Sequence, residues 1–276
     1  EFVTVCQKLT IDRNGYDATD PNFEAEHITT YGVAFPQSMF YALPFIYSNG
    51  GQMASDDGQK LLLNQPTAVE ALQKMQDLVY RYHVAPTPST LQSMPSSSFM
   101  LQTSKVAMDI NGHWKVLDLN QMGFDWGMGV LPYFKEPTTI ICGCPLGIFT
   151  SSKYQEEAFQ LFKALGNTAS NDLFSNGLWM PLHVEDYTDP AKVSQWLNSQ
   201  PGVYPAEARS VLVDYTINHT PRQAPVYWLR NYGQILDEVV TPAFSLMWAG
   251  EANAQQAMDQ AVKEGQKLLQ GRLFEE

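Results

Sequence analysis

Residues Phe99 to Pro132 read FMLQTSKVAMDINGHWKVLDLNQMGFDWGMGVLP, and the rest of the chain is organised around them. The apolar run Val106 to Ile110 has strand character and stops at Asn111-Gly112-His113-Trp114. A second run, Asp125 to Leu131, reads as another strand ended by Pro132. In an open α/β sheet small molecules bind beyond the carboxyl ends of strands, so Trp114 stands where a binding surface forms. A core position for the same Trp is the alternative, and spacing does not separate the two.

Outward from that stretch, helical and strand patterns alternate. Tyr31 to Phe35 reads as a short strand before the aromatic run Met39 to Tyr47, which Asn49-Gly50-Gly51 closes with a turn. Thr67-Ala68-Val69-Glu70 has the capping-box spacing, and Val69, Leu72, Met75, Val79 and Tyr82 continue it as a helical stripe. Pro86 to Ser98 reads as a Ser/Pro-rich loop. Thr138 to Ile141 reads as a strand running into Cys142-Gly143-Cys144-Pro145-Leu146-Gly147, where two glycines predict a close backbone approach.

Ser152 is placed to cap a helix carrying Tyr154, Ala158, Leu161, Phe162 and Leu165, and a short helix is expected over 169–176. Further helical patterns cover Asp189 to Leu197, Pro201 to Tyr215 and Leu229 to Met247, the last with a kink at Pro242. The final helix has Asn253 as cap and Gln256 three residues on. Such alternation predicts an α/β fold.

The chain has 276 residues, 44% of them hydrophobic, enough for one large or two ordinary domains with real cores. Its longest apolar runs fall short of the roughly 18 residues of a membrane span. A net charge of -12 repels phosphate backbones and anionic lipid, so nucleic acid is not an expected partner. Cys6, Cys142 and Cys144 form neither a paired set nor a zinc motif. Five widely spaced histidines, His27, His83, His113, His183 and His219, offer no metal-ligand pair, and neither metal nor cofactor is expected.

Phosphate-loop, HExxH, GxSxG and dinucleotide motifs are all missing, since Gly127-Met128-Gly129 lacks the third glycine. A glycosidase needs only two carboxylates close in space, and Asp109, Asp125 and Glu185 are candidates that nothing singles out. What stands out is aromatic and amide content near turns: Phe40, Tyr41, Trp114, Trp179, Tyr227 and Trp228, with Gln37, Asp109 and Asn111 close in sequence. Sugar rings present apolar C–H faces to aromatic planes and hydroxyls to paired donors and acceptors, so this mixture suits a carbohydrate cleft. A core would use the same aromatics.

Taken in order, these segments resemble the extracellular solute-binding proteins of bacterial ABC importers, in the sugar-binding family that includes maltose-binding protein. The resemblance rests on Phe45 to Gly51 before a helix, Lys105 to Trp114, Trp126 to Pro132, the Gly143 turn, Glu157-Ala158-Phe159, the Gly177 to Pro181 return and the Gly250-Glu251 helix. It implies a two-lobed periplasmic-binding-protein type II fold that closes on a sugar. Residues 1–146 and 185–276 would form a larger C-terminal lobe, nearly complete, with 147–184 a piece of the N-terminal lobe.

By the same resemblance Trp114 is the stacking tryptophan, Phe40 or Tyr41 a second aromatic, and Tyr227 or Trp228 a third, with Gly143 at the crossing strand. Asn111 and Trp179 complete the candidate ligand-binding set. His113 stands where maltose-binding protein has proline. The implied protein is no enzyme: it is a monomer outside the cytoplasmic membrane, periplasmic or lipid-anchored, that hands a mono- or oligosaccharide to permease subunits. A carbohydrate-active hydrolase and a binder of a non-sugar solute are the alternatives. The resemblance covers the later two thirds of the family pattern, so a truncated chain with half a cleft and poor sugar affinity is expected.

Overall fold

A computed structural model describes residues 1–143, 145–167, 172–219 and 221–274. Helices dominate. In chain order they begin with α1 (Phe2–Leu9), followed by the antiparallel pair β1 (Ile11–Asp12) and β2 (Ile28–Thr30). Next come α2 (Met39–Ser48), α3 (Pro66–Tyr80), α4 (Pro88–Ser93), α5 (Ser97–Gln102) and α6 (Lys115–Gln121). After β3 (Ile140–Ile141) stand α7 (Gln155–Gly166), α8 (Asp172–Ser175), α9 (Glu185–Thr188) and α10 (Pro190–Asn198). A π-helical stretch, Arg209–Asp214, leads into α11 (Tyr215–Asn218), and β4 (Arg222–Gln223) pairs in parallel with β3. The chain ends in α12 (Tyr232–Ile235), a π-helical turn at Leu236–Val240, α13 (Thr241–Trp248) and α14 (Ala254–Gly265).

Two compact units result. Unit 1 comprises Glu1–Asn111, Leu131–Ile141 and Pro221–Glu276, and unit 2 Gly112–Val130 and Cys142–Thr220. These boundaries differ from the lobes expected above, for a packing reason: Val193, Trp196 and Leu197 of α10 share one core with Ala208, Leu212 and Val213.

In unit 1, α2, α3, α13 and α14 enclose a core that includes Leu43, Ile46, Leu72, Met247 and Met258. Eight of the ten residues of α2 are buried, so it is apolar all round and has no polar face to betray its period. The aromatic run is therefore a helix, with Pro44 inside it. Asn253 and Gln256 form the expected capping box at α14. At α3 the expected box is replaced: Pro66 occupies the first turn, Gln65 is the cap, and Glu70 binds Lys74 and Asn49 instead.

Other expectations change too. Pro86 to Ser98 contains α4 and the start of α5, with Thr87 capping α4 through Thr90 N–H. No strand forms over Asp125 to Leu131. Tyr154, not Ser152, is the cap residue of α7, while the Ser152 hydroxyl accepts from Tyr154 N–H. Of the helix expected over 169–176, α8 is present and 169–171 lie outside the described residues, as does Cys144. No described helix is long and apolar enough to cross a membrane.

Candidate functional site

Tyr31 to Phe35 and Val106 to Ile110 are extended and parallel, bridged at Tyr31 with Val106 and at Ala34 with Asp109. Tyr31 N–H donates to Lys105 O, Ala107 N–H to Tyr31 O, Ala34 N–H to Met108 O and Ile110 N–H to Ala34 O, at 2.8–2.9 Å. Val33 N–H donates to Val84 O, adding a third segment. Both chains leave this ladder at their carboxyl ends, one toward α2 and the other through Asn111. Phe40, Tyr41 and Asn111 of the sequence-expected set belong to the segments that follow that edge.

There Tyr41 Oη donates to Asn111 Oδ1 at 3.1 Å, and Asn111 Nδ2 donates to Asp109 Oδ2 at 3.1 Å. With its nitrogen donating to Asp109, the amide of Asn111 turns its oxygen toward the phenol. Phe40 meets Tyr41 edge-on, with ring centroids 5.3 Å apart at 79°. All four side chains are partly exposed. Unit 1 thus joins a flat aromatic pair to a directed chain of polar groups. Asp109 was not in the predicted set, although its i, i+2 spacing from Asn111 puts both on one face of the strand.

Tyr227 ends a short 3₁₀ turn begun by Pro225, and Trp228 caps it. Trp228 packs against the main core, and the Arg272 guanidinium stands 5.3 Å from its ring centroid. Its carbonyl accepts from Leu273 N–H at 2.7 Å. Both rings remain partly exposed.

In unit 2, Trp114 is the cap residue of α6, and its indole folds back over Gly112. A Cβ on Gly112 would stand 2.2–2.4 Å from the ring, so only glycine leaves the indole its place. Trp179 meets Phe174 edge-on at 5.8 Å and serves packing at least in part. Among the described residues Gly143 and Gly147 do not make the expected close approach, since a Cβ on either meets none of them within 4 Å.

His113 is held by packing: its ring stacks on Tyr204 at 6.0 Å and 22°, with Nε2 3.3 Å from the phenol oxygen. Burial lowers its pKa from 6.5 to about 4, against the pull of a backbone hydrogen bond with Leu178. Between those values the unfolded chain binds more protons than the folded one, so stability falls as pH falls through that window. The loss should amount to roughly 2–4 kcal/mol. Urea midpoints at pH 7 and 4.5 check it: His113→Gln should lose about 2 kcal/mol less than the wild type between them. Equal losses would show that His113 does not carry the effect.

Among the described residues, no group of three or more His, Cys, Asp or Glu is placed to hold a metal ion. The groups gathered at the carboxyl edge are rings, an amide and a carboxylate.

The fold is the type II fold of periplasmic binding proteins. The maltose/maltodextrin-binding domain MalE of Bdellovibrio bacteriovorus, bound to maltotriose, matches 97% of this chain and 65% of its own, with a TM-score of 0.70 and 21% identity. An ABC substrate-binding protein of Listeria monocytogenes in complex with cycloalternan matches 87% and 59%, with a TM-score of 0.71 and 18% identity. UgpB of Mycobacterium tuberculosis in complex with glycerophosphocholine matches 87% and 58%, with a TM-score of 0.66 and 14% identity. The chain spans less than two thirds of the length of each. A model of the bacterial extracellular solute-binding proteins matches residues 1–196, and the chain belongs to that family.

Proposed function

We propose that this chain captures a sugar or oligosaccharide outside the cytoplasmic membrane, as the substrate-binding component of an ABC importer, and delivers it to permease subunits. The observation that carries the reading is the Phe40–Tyr41–Asn111–Asp109 group at the carboxyl edge of the parallel segments. Aromatic faces and a donor–acceptor chain are what a pyranose requires. Trp114, Gly143, Trp179, Tyr227 and Trp228 stand as further candidates. The chain acts by binding and release, as a monomer, in a periplasm or tethered by lipid. MalE supports the sugar reading through its maltotriose.

A thermal-shift screen against malto-oligosaccharides tests it. Ligand at 100 times its dissociation constant adds about 2.7 kcal/mol, so high concentrations register even a weakened site. No shift with any sugar counts against the proposal. Trp114→Ala should weaken binding by roughly 1–3 kcal/mol, read by calorimetry; unchanged affinity removes Trp114 from the site.

A second reading keeps the fold and changes the ligand to a non-sugar solute. It is favoured by the glycerophosphocholine held by UgpB. Glycerophosphocholine in the same screen separates the two.

A further inference from the structure

Unit 2 holds a cavity of about 340 Å³ below the last turn of α6, with Asn120, Phe124, Asp125, Trp126 and Gly202 in its wall. Asn120 follows Trp114 by six residues, which turns it about 240° around the helix and faces it away from the indole. The cavity is therefore separate from the group around Trp114.

Asn120 is the informative residue. Its amide nitrogen and oxygen are both shielded from water, and neither has a hydrogen-bond partner among the described residues. An unpaired buried amide is unfavourable and calls for a partner from elsewhere. The terminal torsion of asparagine is soft, so the group swings into the cavity at small cost. Gly123 and Gly202, with φ of +66° and +83°, turn the chain there without filling the space: a Cβ on either meets nothing within 4 Å.

We propose that this cavity is a second binding site, for one unit of a saccharide. Trp126 and Phe124 are partly exposed rings that receive C–H faces, and the exposed Asp125 carboxylate accepts from a hydroxyl. Asn120 donates to one hydroxyl and accepts from another. An organic cation would also suit two rings and a carboxylate. It would leave the amide N–H groups of Asn120 unanswered, and for that reason the saccharide is the occupant.

The test is a titration of the ¹⁵N-labelled full chain with maltotriose and, separately, with choline, following the Asn120 side-chain amide and the Trp126 indole N–H. Maltotriose should move both resonances in the wild type and equally in Trp114→Ala. Asn120→Leu should weaken the Trp126 response about tenfold while raising the thermal midpoint, because the unpaired amide is gone. Asp125→Asn, at an exposed position, should weaken it several-fold and serves if Asn120→Leu does not fold. Resonances that stay still up to the solubility of maltotriose, that move with choline instead, or a Trp126 response in Asn120→Leu and Asp125→Asn as strong as in the wild type would overturn the proposal. Loss of the maltotriose response at Trp114 alone would strike the function proposed above and leave this site standing.

Discussion

Trp196→Ala is expected to unfold unit 2 while unit 1 stays folded. Trp196 is 1% exposed and among the largest fully buried side chains of the protein. Its Nε1 donates to Asp186 O at 2.9 Å, and its ring meets Tyr187 at 6.0 Å and Tyr204 at 5.7 Å, both edge-on. Among the described residues, Val193, Leu197, Ala208, Leu212 and Val213 are the other buried members of that core. Removing a buried Trp costs about 3–5 kcal/mol, a large share of the roughly 5–15 kcal/mol that holds a whole domain.

Unit 1 has a core of its own around α2, α3, α13 and α14, so it need not follow. Urea unfolding by circular dichroism should show an early transition in the variant. Limited proteolysis should cut within 142–220 first. Trp196→Phe keeps a ring but removes the donor to Asp186 O, and should cost about 1–3 kcal/mol. One transition at the wild-type midpoint in the alanine variant would show that Trp196 does not hold the unit.

Local signals in the sequence were legible where one pattern had one physical cause. Asn253 and Gln256 make the capping box their spacing predicts, each side chain accepting from the other residue's backbone N–H. The same spacing at Thr67 and Glu70 misled, since Pro66 started the helix earlier and Glu70 found Lys74 and Asn49. Helix α2 was illegible because period needs contrast, and a segment buried on every side shows none.

The candidate site was half legible. Asp109 and Asn111 share a strand face by simple alternation. The bond from Tyr41 crosses 70 residues, and only the family resemblance put the two segments side by side. A ring at a loop edge and a ring in packing have the same composition, which is why Trp179 and Trp228 proved to be engaged by Phe174 and Arg272. In the sequence Gly143 stands near a second glycine in a turn-like stretch, whereas Gly32 sits inside a short extended run. Packing nonetheless crowds Gly32.

Gly32→Ala should therefore be the most damaging small substitution in unit 1. A Cβ at Gly32 would stand 2.2 Å from the Cys6 carbonyl oxygen and 2.8 Å from Cys6 C and Cα. All three are backbone atoms of α1, so no side-chain rotation relieves the clash. Gly32 N–H also donates to Thr10 Oγ1 at 2.9 Å, and that hydroxyl donates to Cys6 O at 2.7 Å, with Thr10 and Cys6 fully buried. A methyl group must push α1 away or bend the segment whose neighbours pair with Lys105 and Val84. Overpacking usually costs about 1–3 kcal/mol, and contact this close with fixed backbone puts the expected loss at about 3 kcal/mol or more. Gly143→Ala meets no described residue within 4 Å and should stay within about 0.5 kcal/mol of the wild type. Urea midpoints of the two variants decide the matter: a Gly32→Ala protein as stable as Gly143→Ala would mean that α1 slides freely on the ladder. Since that ladder also positions Asn111 against Tyr41, the loss of stability should be accompanied by a loss of ligand affinity.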